Sequence, residues 1–231
     1  MHDVIMIRAS DWHQMTDGSD VTGLKYKLTD YAICGQAEPV RMIFHTAGID
    51  YEEQLIEKDN WCVIHQPPPA ERMPVLCVTK PNGDTVVYKE RMAISRWLAM
   101  QYNLMGTSSS EYYLVEQMLS LCLDLEGQIR FVLGSDGERQ LDLMEKLLRK
   151  DTPKMLEIIC KAISAPHGLL VTGNSVTLGD LFLLHTLDQL HCLDPSILRS
   201  DYPILTAHRN AVYDACPRLV QYREKRPLIV I

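Results

Sequence analysis

Apolar and polar positions change their period once along this chain, and the change separates two kinds of domain. Over residues 24–31, Leu24, Tyr26, Leu28 and Asp30 alternate with Lys25, Lys27, Thr29 and Tyr31, which predicts a short strand with a polar Asp30 near its far end. A turn through Cys34 and Gly35 follows. Val40, Ile43, Phe44 and Ala47 then recur at helical spacing. Pro39 stands early in that helix, where its missing N–H costs little, and Gly48 stands at the C-terminal cap. A second strand over 51–56 completes a βαβ unit.

The stretch 57–72 contains Trp61 and the run Pro67, Pro68, Pro69, which excludes regular helix or sheet and predicts an ordered surface loop or lid. Residues 73–78 read as a strand opening with proline, 81–84 as a hairpin turn and 85–88 as the returning strand. A helix over about 90–102 closes an α/β domain of thioredoxin-like size spanning 24–103. Beyond a linker at 104–110, long amphipathic runs over 111–132 and 138–164 carry no strand pattern, so 111–231 is expected to be an all-helical domain. The fold class is therefore α/β plus all-α. Residues 1–23 show no sustained period and are expected to form a flexible lead-in. Thr177 and Asp180, just ahead of an apolar run, have the spacing of a capping box, a structural rather than catalytic signal.

Composition narrows the partners. The 231 residues are 46% hydrophobic, enough for one large core or two small ones. Acidic residues outnumber basic ones by 30 to 23 and the cations are scattered, so no basic stripe favours nucleic acid. No run approaches the roughly twenty apolar residues needed to span a bilayer. The N-terminus, with His2, Asp3, Arg8 and Asp11, lacks the order of a secretory signal, so a cytoplasmic location is expected. The seven cysteines (Cys34, Cys62, Cys77, Cys122, Cys160, Cys192 and Cys216) are an odd set with no CxxC pair and read as reduced thiols. No metal is expected.

The block from Tyr26 to Arg41, with Gly35, Gln36, Ala37 and Glu38 in its turn, resembles the opening of sigma-class cytosolic glutathione S-transferases, closest to the fluke enzymes. The likeness runs on through Trp61, Met73, Pro74 and Val75, and then Glu90 to Leu98. In the helical half it includes Glu111, Tyr112, Tyr113, Thr177 to Asp180, Pro217 to Leu219, Arg226 and Pro227. The resemblance implies glutathione as co-substrate, small hydrophobic electrophiles as its partners, and a homodimer. Met73 and Pro74 would form the cis-proline step that pairs with the peptide's cysteinyl segment. Trp61 and Arg72 would line the peptide site, against the plainer readings of a core indole and a solvated charge. Glu90 would meet the peptide's amino group, and Asp124 would reach the same group across the dimer, against an exposed helix carboxylate. Arg41 would sit near the sulfur, against an ordinary surface charge. Tyr112 and Tyr113 fall near the electrophile pocket, with core packing the expected role for at least one.

The departures from the family carry as much information. Activation of the thiol needs a neutral donor such as tyrosine, because a free thiol ionises only near a pKa of about 8.5. By spacing, Asp30 stands at the tyrosine position. A carboxylate ~4 Å from a thiolate repels it by about 4 kcal/mol at an effective dielectric near 20. Tyr31 could substitute only through a bulge or a one-residue slip. Arg91 stands where a serine grips the γ-glutamyl carboxylate at a helix N-terminus. His65 and Gln36 replace a lysine and an arginine. The expectation is a glutathione transferase with weak or altered conjugation, including isomerisation of prostaglandin H2 to prostaglandin D2. The alternative is a silent structural or ligand-binding member of the fold.

Overall fold

The computed structural model describes residues 21–32, 34–56, 73–163, 168–197 and 202–226. Its first half runs β1 (Lys25–Tyr31), α1 (Glu38–Ala47), β2 (Glu52–Ile56), β3 (Val75–Thr79), β4 (Thr85–Lys89) and α2 (Arg91–Gln101). The four strands lie in the order β2-β1-β3-β4, with β1 parallel to β2 and the other pairs antiparallel. This is the thioredoxin-like arrangement expected. Tyr26 and Leu28 on one face of β1 meet Val40, Ile43 and Phe44 of α1, all buried, so alternation in the strand and helical spacing converge on one core. Gly48 ends α1 with φ 71°, and its N–H closes onto the carbonyls of His45 and Phe44.

The second half is helical: α3 (Ser109–Leu133), α4 (Gly137–Lys146), a π turn (Leu147–Asp151), α5 (Thr152–Ile163), α6 (Leu178–Leu193), α7 (Pro203–Ala215) and α8 (Pro217–Lys225). Three boundaries differ from expectation. The helix α3 starts inside the predicted linker because Ser108 caps it, its Oγ accepting from the Glu111 N–H at 3.2 Å. Leu104 and Met105, also assigned to the linker, are buried in the shared core. The single run predicted over 138–164 is interrupted by the π turn.

Asp180 locks the entry to α6, as the capping-box spacing predicts. Its carboxylate accepts from the Thr177 N–H and Oγ1 at 2.8 and 2.6 Å and from the Val171 N–H at 2.8 Å. It also lies 2.9 Å from His208 Nε2. Beside it, Gly179 lets α6 approach α3, since a Cβ there would come 3.3 Å from Met118 Cβ.

Candidate active site

The end of β1 and the first turns of α1 meet where the resemblance places sulfur activation. Asp30 is only 2% exposed, and its carboxylate accepts from Arg41 Nη2 at 3.3 Å and from the backbone N–H groups of Tyr31 and Ala37. Burial raises the Asp30 pKa, and Arg41 and the two backbone donors offset this only in part. Arg41 is as deeply buried. Its Nε donates to Glu53, its Nη1 lies 3.8 Å from Glu38, and its Nη2 also points toward the Tyr31 carbonyl at 3.5 Å. Burial acts to lower the Arg41 pKa, but Glu53 and Asp30 more than reverse that, so it stays cationic. The two residues proposed for sulfur chemistry thus bind each other and the fold.

Tyr31 follows Asp30 in the regular strand, so its side chain leaves from the opposite face of β1. Residues 27–31 of β1 pair with β2 one for one, Asp30 with Leu55 and Tyr31 with Ile56, so the bulge or slip that would bring Tyr31 round is not the register adopted. Cys34, 1% exposed, lies beside Glu38, and burial with that neighbour pushes its thiol up to about 12. It is protonated at neutral pH and cannot supply a thiolate of its own.

A wider network spreads from Glu38, which the alternation and helix spacing did not single out. Glu38 accepts from Tyr222 Oη at 2.7 Å and from Arg226 Nη1. Arg226 and Arg223 both donate to Asp188 on α6, at 2.8 and 2.7 Å. The chain of charges ties α1 to α8 and α6, across the two halves.

The start of β3 and the start of α2 form a second, differently built edge. The Met73–Pro74 bond is cis, as the resemblance implies. Glu90 is exposed and has φ 71°, ψ 110°, outside the usual regions for a residue with a Cβ, and the start of α2 behind it has no side-chain cap among the described residues. A non-glycine residue held there costs about 1–3 kcal/mol and clusters at functional sites. Arg91, the next residue, is turned inward: Nη2 donates to Glu126 at 2.8 Å and the guanidinium carbon lies 5.4 Å from the Phe182 ring centre. Its Nη1 is buried with no acceptor among the described residues. Glu126 also accepts from Thr186 at 3.4 Å and faces Arg130 at 3.5 Å. Sequence reasoning missed Glu126, although a carboxylate among Cys122, Leu125 and Ile129 on one apolar face of α3 was a signal that something buried must pair with it.

Of the remaining candidates, Gln36 is exposed beside Ala37, and Asp124 is exposed on α3, at the rim of an open cavity of about 670 Å³ shared with Phe131, Lys146 and Met155. Trp61, His65 and Arg72 lie outside the described residues, as do residues 1–20 of the lead-in. Tyr112 and Tyr113 are 46% and 61% exposed, so neither takes the core role expected of one of them. Tyr113 lies opposite the helix's apolar stripe of Val115, Met118 and Leu119, whereas Tyr112 lies along its edge in the first turn, where it stays exposed. No helix among the described residues is long and apolar enough to cross a membrane.

A thioredoxin-like half with a cis-proline edge, joined to an all-helical half, defines a two-domain class of fold. Comparison with known proteins narrows this. The family "Glutathione S-transferase, C-terminal domain" matches residues 124–226. The "Glutathione S-transferase class-mu 28 kDa isozyme" of Schistosoma japonicum is 32% identical over 192 residues, 83% of this chain and 93% of the relative. The solved Fasciola hepatica sigma class GST superposes with a TM-score of 0.82 at 32% identity, covering 88% of this chain and 97% of its own. Rat hPGDS complexed with a quinoline gives a TM-score of 0.75 at 26% identity, covering 88% and 98%. The chain belongs to the glutathione S-transferase family.

Proposed function

We propose that this chain binds glutathione along the edge made by Met73, Pro74, Glu90 and the N-terminus of α2, and conjugates it only weakly to small hydrophobic electrophiles. The family uses glutathione as co-substrate, and the uncapped N–H groups of α2 suit a peptide carboxylate. Trp61, His65, Arg72 and Gln36 would complete the peptide site, and Asp124 would contribute from the partner of a cytoplasmic homodimer. The sigma class and a prostaglandin-isomerising activity belong to this proposal, supported by the Fasciola and rat neighbours.

The reading of weak turnover rests on one observation, the buried pair of Asp30 and Arg41. A carboxylate saturated by Arg41 and two backbone donors offers no proton to a thiol, and an arginine shared among three carboxylates offers it little positive charge. The same pair favours the second reading, a silent binding member of the fold. The test is the thiolate absorbance of bound glutathione as pH is varied, for the parent and for Asp30→Tyr. No thiolate is expected at neutral pH in the parent, with its appearance in the variant. A parent that ionises the bound thiol near neutral pH overturns the assignment. Retention on immobilised glutathione without conjugation selects the silent reading.

A further inference from the structure

The two halves of the chain meet where α6, which also packs on α3, lies against α1 and α2. Polar side chains buried in such a seam are ordinarily hydrogen-bonded, because the water they give up must be replaced. A stripe of α6 is an exception. Phe182, His185 and Gln189 recur at i, i+3 and i+7 and so share a face, and Arg91 of α2 holds its guanidinium carbon 5.4 Å from the Phe182 ring centre. Among the described residues, neither ring nitrogen of His185 finds a partner, nor does Gln189 Oε1. On the α2 side, Arg91 Nη1 and Ser95 Oγ, about one turn apart, are unmatched as well.

His185 is the group in this stripe whose charge can change near neutral pH. Its side chain is 0% exposed. The charges that act on it come from every helix around it: the carboxylates of Glu38 on α1, Glu126 on α3 and Asp188 on α6, and the guanidinium of Arg91 on α2. Each carboxylate is already committed elsewhere, Glu126 to Arg91, Glu38 to Tyr222 and Arg226, and Asp188 to Arg223 and Arg226. A second proton on the His185 ring would therefore be buried without an acceptor. His208, also buried on the helical side, is built the other way, with its Nε2 2.9 Å from Asp180.

We propose that His185 makes the seam an acid-sensitive joint: the neutral ring lets α6 close on α1 and α2, and its protonation in mild acid loosens that contact. Burial is the largest influence on the ring and holds its pKa below the ordinary 6.5. An unfolded chain takes up the proton near 6.5, whereas the closed seam resists it. The contribution of His185 to closure is thus fully present above 6.5 and is lost as pH falls from 6.5 through the lower folded value.

The test is hydrogen exchange of the full chain, read by mass spectrometry at about pH 5.5 and about pH 7.5 and corrected for the intrinsic rate. In the parent, peptides from α1 and α6 are expected to exchange at least about fivefold faster at the lower pH, and in His185→Gln by less than about twofold. His185→Leu, which suits the apolar neighbours, answers the same question should the glutamine variant fail to fold. His191→Gln, at an exposed position of the same helix, is expected to keep the response of the parent. The proposal is overturned by a parent response that survives in both His185 variants. It is equally overturned by a response as large in β3, β4 and α5 as along the seam, or by one that His191→Gln abolishes. None of these readouts involves glutathione, so they do not depend on the assignment made for Asp30 or for the edge at α2.

Discussion

The edge at β3 and α2 and the end of β1 differ in where their polar groups face. At the start of α2, Glu90 is exposed in a strained conformation and the helix N-terminus has no side-chain cap among the described residues. At the end of β1, Asp30 and Arg41 are 2% and 3% exposed, with their hydrogen-bonding capacity used inside the protein. The first arrangement stores capacity for a ligand, whereas the second consumes it. If the proposed assignment holds, peptide binding and sulfur activation are separable in this chain.

The largest expected effect tests how much of the fold rests on the second arrangement. Arg41→Ala leaves Asp30, Glu38 and Glu53 without their shared cation, two of them buried. Breaking one partner of a buried ion pair costs about 3–5 kcal/mol, and a loss of this size in urea unfolding is expected. Adding Asp30→Asn should restore part of it by removing one orphaned charge. A loss below about 1 kcal/mol would mean that Arg41 is not what holds this end together.

A smaller effect of opposite sign is expected at the other edge. Glu90→Gly relieves the positive φ and should stabilise the chain by about 0.5–1 kcal/mol, less than the full strain because glycine also loosens the unfolded chain. Glutathione affinity should fall in the same variant, read by calorimetry. Stabilisation with undiminished affinity would show that Glu90 is strained for a structural reason alone, and the contrast between the edges would weaken.

The elements were legible in the chain because each leaves a local period. Alternation through Tyr26, Leu28 and Asp30, helical spacing through Val40 and Phe44, and the Thr177–Asp180 cap all describe neighbours in sequence. The placement of Asp30 at the end of β1 came from the same local count. What Asp30 and Arg91 touch did not, because those partners are distant in sequence. Arg91 meets Glu126 across 35 positions, and Arg226 meets Glu38 across 188. No periodicity encodes such pairs. A charged residue at an apolar position, as at Glu126 or Asp188, announces that a partner exists without naming it. The local pattern places Arg91 at the helix start where the resemblance puts a serine, and nothing nearby in sequence reveals that burial against Phe182 gives its Nη2 a carboxylate within the protein.

The smallest expected effect is a change of slope with pH, and it sets Asp30 against Asp188. For Asp30, burial outweighs Arg41 and the folded pKa lies above the reference of 3.8. The native state then holds more protons than the unfolded one between these values, so this contribution falls as pH rises from 3.8 through the folded pKa and is level above it. For Asp188, burial also acts to raise the pKa, but Arg223 and Arg226 prevail and it lies below the reference of 3.8. Its contribution is fully present above 3.8 and is lost as pH falls through the folded pKa. The parent should therefore lose stability on both sides of this region, for two different reasons. Asp30→Asn removes only the upper limb, so the difference in urea midpoint between parent and variant should change with pH above 3.8 and be constant well below it. A difference that stays flat throughout would mean that Arg41 neutralises Asp30 fully, leaving the end of β1 electrically as quiet as an apolar core.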